Sequence, residues 1–228
     1  TRVDAVGEDY SVMFNYNHIQ SDGYRPNSSS LRNDYAFLSN FKLNSKQSLS
    51  VYASQNYSNE GVAGQISYPA YYAGSLEAND SYSRKNAGNK FITTRASVTH
   101  NWRMLSNFSN QTSIFYSNLD AKRVASGALE YSENPNYGFR STFNLKNDID
   151  ENFKNSVEFG AEYMVSKSLI SNYRFTGTNN ALPLEVKPLS SGSYFKYSNE
   201  GLSFFAVDKI TYKPWDLTLV AGISGNNT

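Results

Sequence analysis

Three arginines have the chemistry and the spacing needed to hold an anion. Arg32, Arg95 and Arg140 each lie within the first few residues of a segment in which polar and apolar side chains alternate, and each is in phase with the polar ones. Such alternation is typical of β-strands, where every second side chain points to the same face. Guanidinium groups on a shared face would attract a negatively charged ligand through field focusing and charge-assisted hydrogen bonds. The alternative is internal ion pairing, for which the sequence offers three carboxylates: Asp34, Glu158 and Glu162.

The sequence offers little for covalent catalysis. It has no cysteine, and its two histidines, His18 and His100, are in phase with apolar neighbours, which predicts a place in the wall of a sheet. Glu158 and Glu162 share a face, but four residues along a strand separate them by about 13 Å, too far for a glycosidase-like pair. We therefore expect no enzyme activity, no metal site and no resident cofactor.

Composition excludes several classes of protein. The 228 residues are 15% aromatic, with 18 tyrosines, yet only 39% hydrophobic, and the mean hydropathy is -0.57. No apolar run approaches the roughly 18 residues of a membrane helix. The net charge of +1 gives no reason to expect a nucleic-acid partner. A membrane β-barrel remains possible, because each of its strands shows only alternate side chains to lipid and its average hydropathy stays low.

The alternating pattern recurs along the whole chain. The first segment places Tyr10, Val12, Phe14 and Tyr16 on one side, with polar residues between them. A tilted strand needs about 9 to 11 residues to cross a bilayer, and most of the segments are that long. The pattern predicts about nine strands, near residues 10–17, 31–43, 49–53, 91–102, 108–120, 137–149, 153–165, 202–213 and 217–224.

The predicted connections alternate between short and long. Short ones near 44–47, 103–107, 149–152 and 213–216 are separated by long ones near 21–30, 58–90, 121–136 and 166–201. Brief turns at one end and extended loops at the other are typical of outer-membrane barrels. We therefore predict an all-β fold, an antiparallel up-and-down transmembrane β-barrel. Its lipid-facing side chains would include Tyr10, Val12, Phe14, Tyr16, Phe139, Phe143 and Phe159. A soluble sandwich, with the apolar faces of two sheets packed together, is the alternative.

Several stretches resemble the barrels of TonB-dependent outer-membrane receptors. "MFNYNHIQSDGYRPNSSSLRNDYAFLSNFKL" is similar to their strand, Gly-aromatic-Arg loop and return strand, with Gly23, Tyr24 and Arg25 as the matching residues. "GVAGQISYPAYYA" lies where ferric-siderophore receptors often have a Pro/Gly-rich segment followed by tyrosines. "VEFGAEYMVSKS" and "LSFFAVDKITYKPWDLTLVAGIS" are similar to later strand pairs.

The resemblance implies a transport function. Residues 1–228 would be part of one barrel domain, about nine strands of a larger, 22-stranded barrel, and the family's N-terminal plug domain has no counterpart in this sequence. The resemblance implies the outer membrane of a Gram-negative bacterium, contact with its lipid, and uptake of a ferric siderophore. Uptake would be powered by the TonB-ExbB-ExbD complex through the plug, with iron present only in the transported chelate. Vitamin B12, haem or an oligosaccharide are alternative ligands, and a soluble β-rich adhesin or binding module is an alternative class of protein.

Candidate ligand contacts follow from this resemblance. Loop tyrosines could surround a catechol, hydroxamate or haem-like ligand, although a tyrosine-rich chain places tyrosines in loops by chance as well. The arginines would add positive charge to the upper lumen, unless they pair with nearby carboxylates or with the plug. The candidate residues are Arg32, Arg95, Arg140, Tyr24, Arg25, Tyr68, Tyr71 and Tyr72.

Overall fold

The computed structural model describes residues 1–176, 185–188 and 194–227. Within these ranges the chain forms one antiparallel sheet of twelve strands, which confirms the predicted all-β barrel wall. The strands are β1 (Arg2–Val6), β2 (Tyr10–Ser21), β3 (Ser30–Asn44), β4 (Gln47–Gly61), β5 (Gly88–Arg103), β6 (Phe108–Val124), β7 (Ala128–Glu133), β8 (Asn136–Asp148), β9 (Phe153–Thr176), β10 (Glu185–Pro188), β11 (Tyr194–Tyr212) and β12 (Leu217–Asn227). Two short helices, α1 (Tyr68–Tyr72) and α2 (Asp80–Ser83), lie between β4 and β5.

The strands follow one another around the sheet in chain order, except that β10 pairs only with β9 and that β7 and β8 share one position. β7 and β8 lie end to end between β6 and β9, so each of them pairs with β6 on one side and with β9 on the other. Asn134 and Pro135 separate them without changing the pairing register. Proline has no backbone N–H to donate, so the ladder of hydrogen bonds is interrupted at Pro135. The side chain of Asn118 accepts the N–H of Asn134 at 3.1 Å beside this break.

The strands are longer and more numerous than the sequence predicts. β1, β7 and β10 were not among the nine predicted strands, and β9 and β11 extend far beyond their predicted limits. The predicted long connection over 121–136 is therefore wrong, because the end of β6 and all of β7 together fill most of it. The predicted connection over 166–201 is likewise replaced by strand at both ends, and its parts at 177–184 and 189–193 lie outside the described residues. These extensions do not alternate strictly between polar and apolar residues, so a pattern based on alternation does not find them.

The short turns match the prediction and have local causes. The side chain of Asn44 accepts the N–H of Lys46 at 2.8 Å, which closes the turn between β3 and β4. Asp150 accepts the N–H of Phe153 at 2.8 Å in the turn before β9. A 3₁₀ turn at Lys213–Trp215 ends at Asp216, whose φ of 49° lies in the left-handed region.

The register divides the sheet into two chemically distinct faces. Paired residues of antiparallel strands point the same way. Tyr10, Phe14 and Tyr16 lie opposite the aromatic residues Phe41, Phe37 and Tyr35 of β3, and Val12 lies opposite Ser39. Following the pairs onward, the same side carries most of the apolar residues of the later strands, although a few, such as Phe115 and Phe205, lie on the opposite side. We call this side the aromatic face; it includes Tyr10, Val12, Phe14, Tyr16, Tyr35, Phe37, Val98, Trp102, Ile114, Tyr116, Tyr137, Phe139, Phe143, Phe159 and Tyr163.

The opposite side, called the polar face, carries mainly Ser, Thr, Asn, Gln and charged residues. It includes Asn15, Arg32, Asp34, Ser54, Asn56, Arg95, Ser97, Gln111, Ser117, Arg140, Thr142, Glu158 and Glu162. The seven side chains predicted to face lipid therefore share the aromatic face, and the three arginines lie on the polar one.

Neither face is covered by a second layer within the described residues. Tyr10, Phe14, Phe139 and Phe159 keep 39% to 48% of their surface exposed. Phe143 is less exposed because its ring stacks on Phe159, with centroids 5.3 Å apart. The sandwich alternative, which requires these rings to pack on another sheet, does not fit this arrangement. Among the described residues no helix is long and apolar enough to cross a membrane.

Candidate ligand-binding site

The three arginines lie on alternate strands of the polar face. Arg32 is on β3, Arg95 on β5 and Arg140 on β8, with β4 and β6 between them. Adjacent strands are about 4.8 Å apart, so successive arginines lie about 10 Å apart across the sheet. The register also sets them four residues apart along the strands, because Arg95 is level with Ala36 on β3 and with Asn136 on β8. Each separation is therefore about 16 Å in the plane of the sheet. The predicted common face is thus present, and the three differ in what surrounds them.

Arg32 is held by a carboxylate two residues away on the same face. Its Nε donates to both oxygens of Asp34, at 3.0 Å each. The amides of Asn17 and Asn56, on the two flanking strands, donate to the same carboxylate. Asp34 is therefore the centre of a polar cluster spanning three strands, and Arg32 is one of its donors.

Arg140 is also engaged within the sheet. Its guanidinium lies 3.6 Å from Glu162 and 4.9 Å from the centroid of the Phe205 ring. Gly160 makes room for that ring, since a Cβ atom at this position would meet Phe205 at 2.9 Å. The arginine is thus placed by an ion pair and by an aromatic surface together. The sequence analysis did not single out Phe205 or Gly160, and no local pattern marks them.

Arg95 stands apart from the other two. It is exposed, and no ion pair joins it to a carboxylate in the described part of the chain. Its cross-strand neighbours are Ser54 and Ser117, and Thr93 and Ser97 flank it along the strand on the same face. Of the three predicted anion-binding arginines, Arg95 alone has a guanidinium with no carboxylate partner in those ranges.

Arg25, proposed as a ligand contact, instead bonds the backbone of a neighbouring loop. Its guanidinium donates to the carbonyl of Gly64 at 3.0 Å and twice to that of Glu77, at 2.7 and 3.3 Å. Tyr24 beside it is exposed. Asn27 extends this connection between the two loops, because its amide donates to the carbonyls of Val62 at 2.7 Å and Ala87 at 3.0 Å.

Tyr68, Tyr71 and Tyr72 lie together on α1 and keep 67% to 74% of their surface exposed. Tyr72 lies at the centre, since its ring contacts Tyr68 at a centroid distance of 4.6 Å and Tyr71 at 5.6 Å. The helix begins at Ser67, whose side chain accepts the N–H of Ala70, and Pro69 is in the first turn. The three rings form a compact aromatic surface on the loop between β4 and β5, the tyrosine surface.

A hydrogen bond joins two of the phenol groups of this surface. The hydroxyls of Tyr68 and Tyr72 are 2.9 Å apart, and this hydrogen bond, with a smaller effect of burial, raises the pKa of Tyr72 above its ordinary value of 10.0. The raised pKa of Tyr72 disfavours the phenolate form of this residue, which would coordinate a metal ion directly.

The histidines take the places predicted for them in the wall. Both lie on the aromatic face, where His18 contacts the Asn33 side chain at 2.7 Å and His100 contacts Gln47 at 3.0 Å. In the described ranges no group of three or more His, Asp or Glu side chains could hold a metal ion.

Solved structures of transport receptors share this fold. BauA, the ferric preacinetobactin receptor from Acinetobacter baumannii, superposes with a TM-score of 0.73 at 12% identity, over 99% of this chain and 38% of its own. The ferric citrate transporter FecA in its unliganded form gives a TM-score of 0.70 at 12% identity, over 99% and 37%. The RagAB peptide transporter gives 0.63 at 12% identity, over 96% and 30%.

These comparisons fix the architecture at the level of the fold. The chain has the fold of the TonB-dependent siderophore receptors, as the resemblance predicted. It spans less than two fifths of the length of BauA and FecA. No family model and no curated protein matches the sequence.

Proposed function

We propose that this chain forms part of the wall and external loops of an outer-membrane receptor that takes up a ferric siderophore by TonB-dependent transport. The observation that carries this proposal is the division of one twelve-strand sheet into an exposed aromatic face and a polar face. In a barrel the aromatic face contacts lipid, and the polar face lines an aqueous lumen. The names of the structurally similar receptors point to iron chelates as the ligand class.

The proposed mechanism is capture followed by transfer, without covalent chemistry. The tyrosine surface and Tyr24 supply ring faces for a chelate at the outside, and Arg95 supplies an available positive charge on the lumen wall. A low-dielectric wall focuses the field of such a charge, which favours an anionic chelate. Energy for transfer would come from the TonB-ExbB-ExbD complex acting through a plug domain of the complete receptor.

Binding by the complete natural protein in detergent tests this function. Ferric citrate, a ferric catecholate and a ferric hydroxamate are titrated into the wild type and into the variant with Arg32, Arg95 and Arg140 replaced by Ala. We expect at least one chelate to bind the wild type with micromolar or better affinity, and the triple variant to bind it at least tenfold more weakly. Unchanged affinity in the triple variant would refute the arginine contribution, and no binding of any chelate would refute the siderophore assignment.

A peptide is the second candidate ligand. It is favoured by the similarity to the RagAB peptide transporter, which covers 96% of this chain. A peptide extends over a longer groove than a compact chelate, and the half-buried serines around Arg95 would offer hydroxyl groups to its backbone amides. Titration with a mixture of short peptides in the same assay separates the two candidates.

A further inference from the structure

Arg25 joins two points of the polypeptide that are far apart in sequence. Gly64 lies 39 residues and Glu77 lies 52 residues from Arg25, and both offer their carbonyls to one guanidinium. The segment between these two carbonyls includes α1 with all three tyrosines of the tyrosine surface. The guanidinium, which belongs to a neighbouring loop, therefore connects the two ends of this segment by hydrogen bonds.

The backbone of Arg25 is itself fixed. The Ser28 hydroxyl accepts the N–H of Arg25 at 3.1 Å and donates to its carbonyl at 2.5 Å. Two residues with positive φ shape the turn, Gly23 at 76° and Asn27 at 57°. Arg25 is half-buried, which restricts the orientations of its planar guanidinium. Little side-chain conformational entropy is therefore lost when the guanidinium forms its hydrogen bonds.

The closed segment has few other bonds across its base. The side chain of Asn79 donates to the carbonyl of Gln65 at 3.2 Å, and its N–H bonds the carbonyl of Ala63 at 2.7 Å. At Gly64 the φ of 74° and the ring of Tyr82, 2.6 Å from where a Cβ would lie, require glycine. This compact turn orients the Gly64 carbonyl toward Arg25.

We infer that Arg25 is a positioning residue, which holds the segment Gly64–Glu77 closed so that the tyrosine surface is pre-arranged for an aromatic or polyhydroxylated ligand. The ligand part of this inference rests on the proposed function, whereas the closure does not. Rigidity before binding raises affinity, because the entropy of ordering the loop is not lost on association. A loop that is closed only a tenth of the time would bind about tenfold more weakly.

Site-directed spin labelling tests the closure. The chain has no cysteine, so a nitroxide on Ala73→Cys, an exposed position at the end of α1, reports on this segment alone within the chain. In the complete natural protein in detergent we expect Arg25→Ala to shorten the label's rotational correlation time severalfold. Arg25→Lys should give an intermediate correlation time, because the lysine ammonium group can reach one carbonyl, whereas the guanidinium reaches two. The matched control is Arg103→Ala, at the opposite end of β5, which should match the wild type.

An unchanged line shape in Arg25→Ala would overturn the inference. If that variant does not fold, Arg25→Lys carries the test, because it keeps the charge and the aliphatic stem. Affinity for a ferric catecholate should fall at least threefold in Arg25→Ala and less in Arg25→Lys. A mobile label with unchanged affinity would overturn the role in presenting the tyrosines. If the wild type binds no chelate, the proposed function fails, and the label still decides whether Arg25 closes the segment.

Discussion

Arg32 donates from one nitrogen to both carboxylate oxygens of Asp34, at 3.0 Å each. The two residues are on one strand and one face, so the pair is complete without any ligand. An arginine already paired in this way gives up an internal partner before it can bind an external anion. Ligand-binding energy on the polar face should therefore come mainly from Arg95.

Single substitutions test this ranking. We expect Arg95→Ala to weaken binding of an anionic chelate by about 10- to 100-fold, which corresponds to the roughly 1.5–3 kcal/mol of a hydrogen bond to a charged group. Arg32→Ala should weaken binding by less than about threefold while freeing Asp34. Titration calorimetry of both variants with the same chelate measures the difference, and equal losses would contradict the ranking.

The aromatic face should tolerate charge poorly in a lipid environment. Phe159→Arg places a cation among stacked rings, and a charge on the lipid face of a barrel costs about 2–4 kcal/mol near the bilayer midplane. Gln111→Arg, exposed on the polar face, is the matched control and should change stability by less than about 0.5 kcal/mol. Urea titration of the two variants of the complete protein in lipid vesicles gives both values. Similar stabilities would show that lipid does not contact this face.

The site of Arg140 depends on the absence of a side chain at Gly160. Gly160→Val would push the added methyl groups against Phe205 and against the Ser141 carbonyl, which lies 2.3 Å from where a Cβ would be. Overpacking of this kind costs about 1–3 kcal/mol. We expect a lower thermal midpoint for this variant, whereas Gly127→Val, where a Cβ would meet nothing within 4 Å, should leave it nearly unchanged.

The hydrogen bond between Tyr68 and Tyr72 should be visible in a pH titration. Because it raises the pKa of Tyr72, Tyr68→Phe should lower that pKa toward the ordinary value of 10.0. A pKa of Tyr72 that is higher in the folded state than in the unfolded state stabilises the fold below about pH 10. This stabilisation is lost as the pH rises through the pKa of the folded state. Ultraviolet difference spectra against Tyr72→Phe in each background isolate this phenol, and an identical titration in the presence and absence of the Tyr68 hydroxyl would contradict the assignment.

Alternation in the sequence was enough to predict which residues share a face. Phe139 and Phe159 lie on the predicted side because a strand has a period of two residues and the register transmits it from strand to strand. The pattern failed at the strand ends, where Leu169 and Ile170 in β9 and Tyr194 and Phe195 in β11 are adjacent and break the alternation. β7 was missed because Pro135 reads as the end of a strand, although the register continues past it.

The candidate site was predictable only in part. The shared face of Arg32 and Asp34 follows from their spacing, but the freedom of Arg95 depends on which residues two other strands place beside it. The role of Arg25 depends on carbonyls 39 and 52 residues away, in a loop whose path no local pattern defines. Long-range backbone contacts of this kind require the fold to be known first.

The described ladders of the sheet keep a single register almost throughout, with one shift between Lys42 and Asn44. Loss or gain of one residue inside a strand would exchange the two faces for every side chain beyond it, placing charged groups on the aromatic face and rings on the polar face. Changes in chain length should therefore accumulate in the connections or occur two residues at a time. This gene would be expected to diverge in loop length far sooner than in strand length.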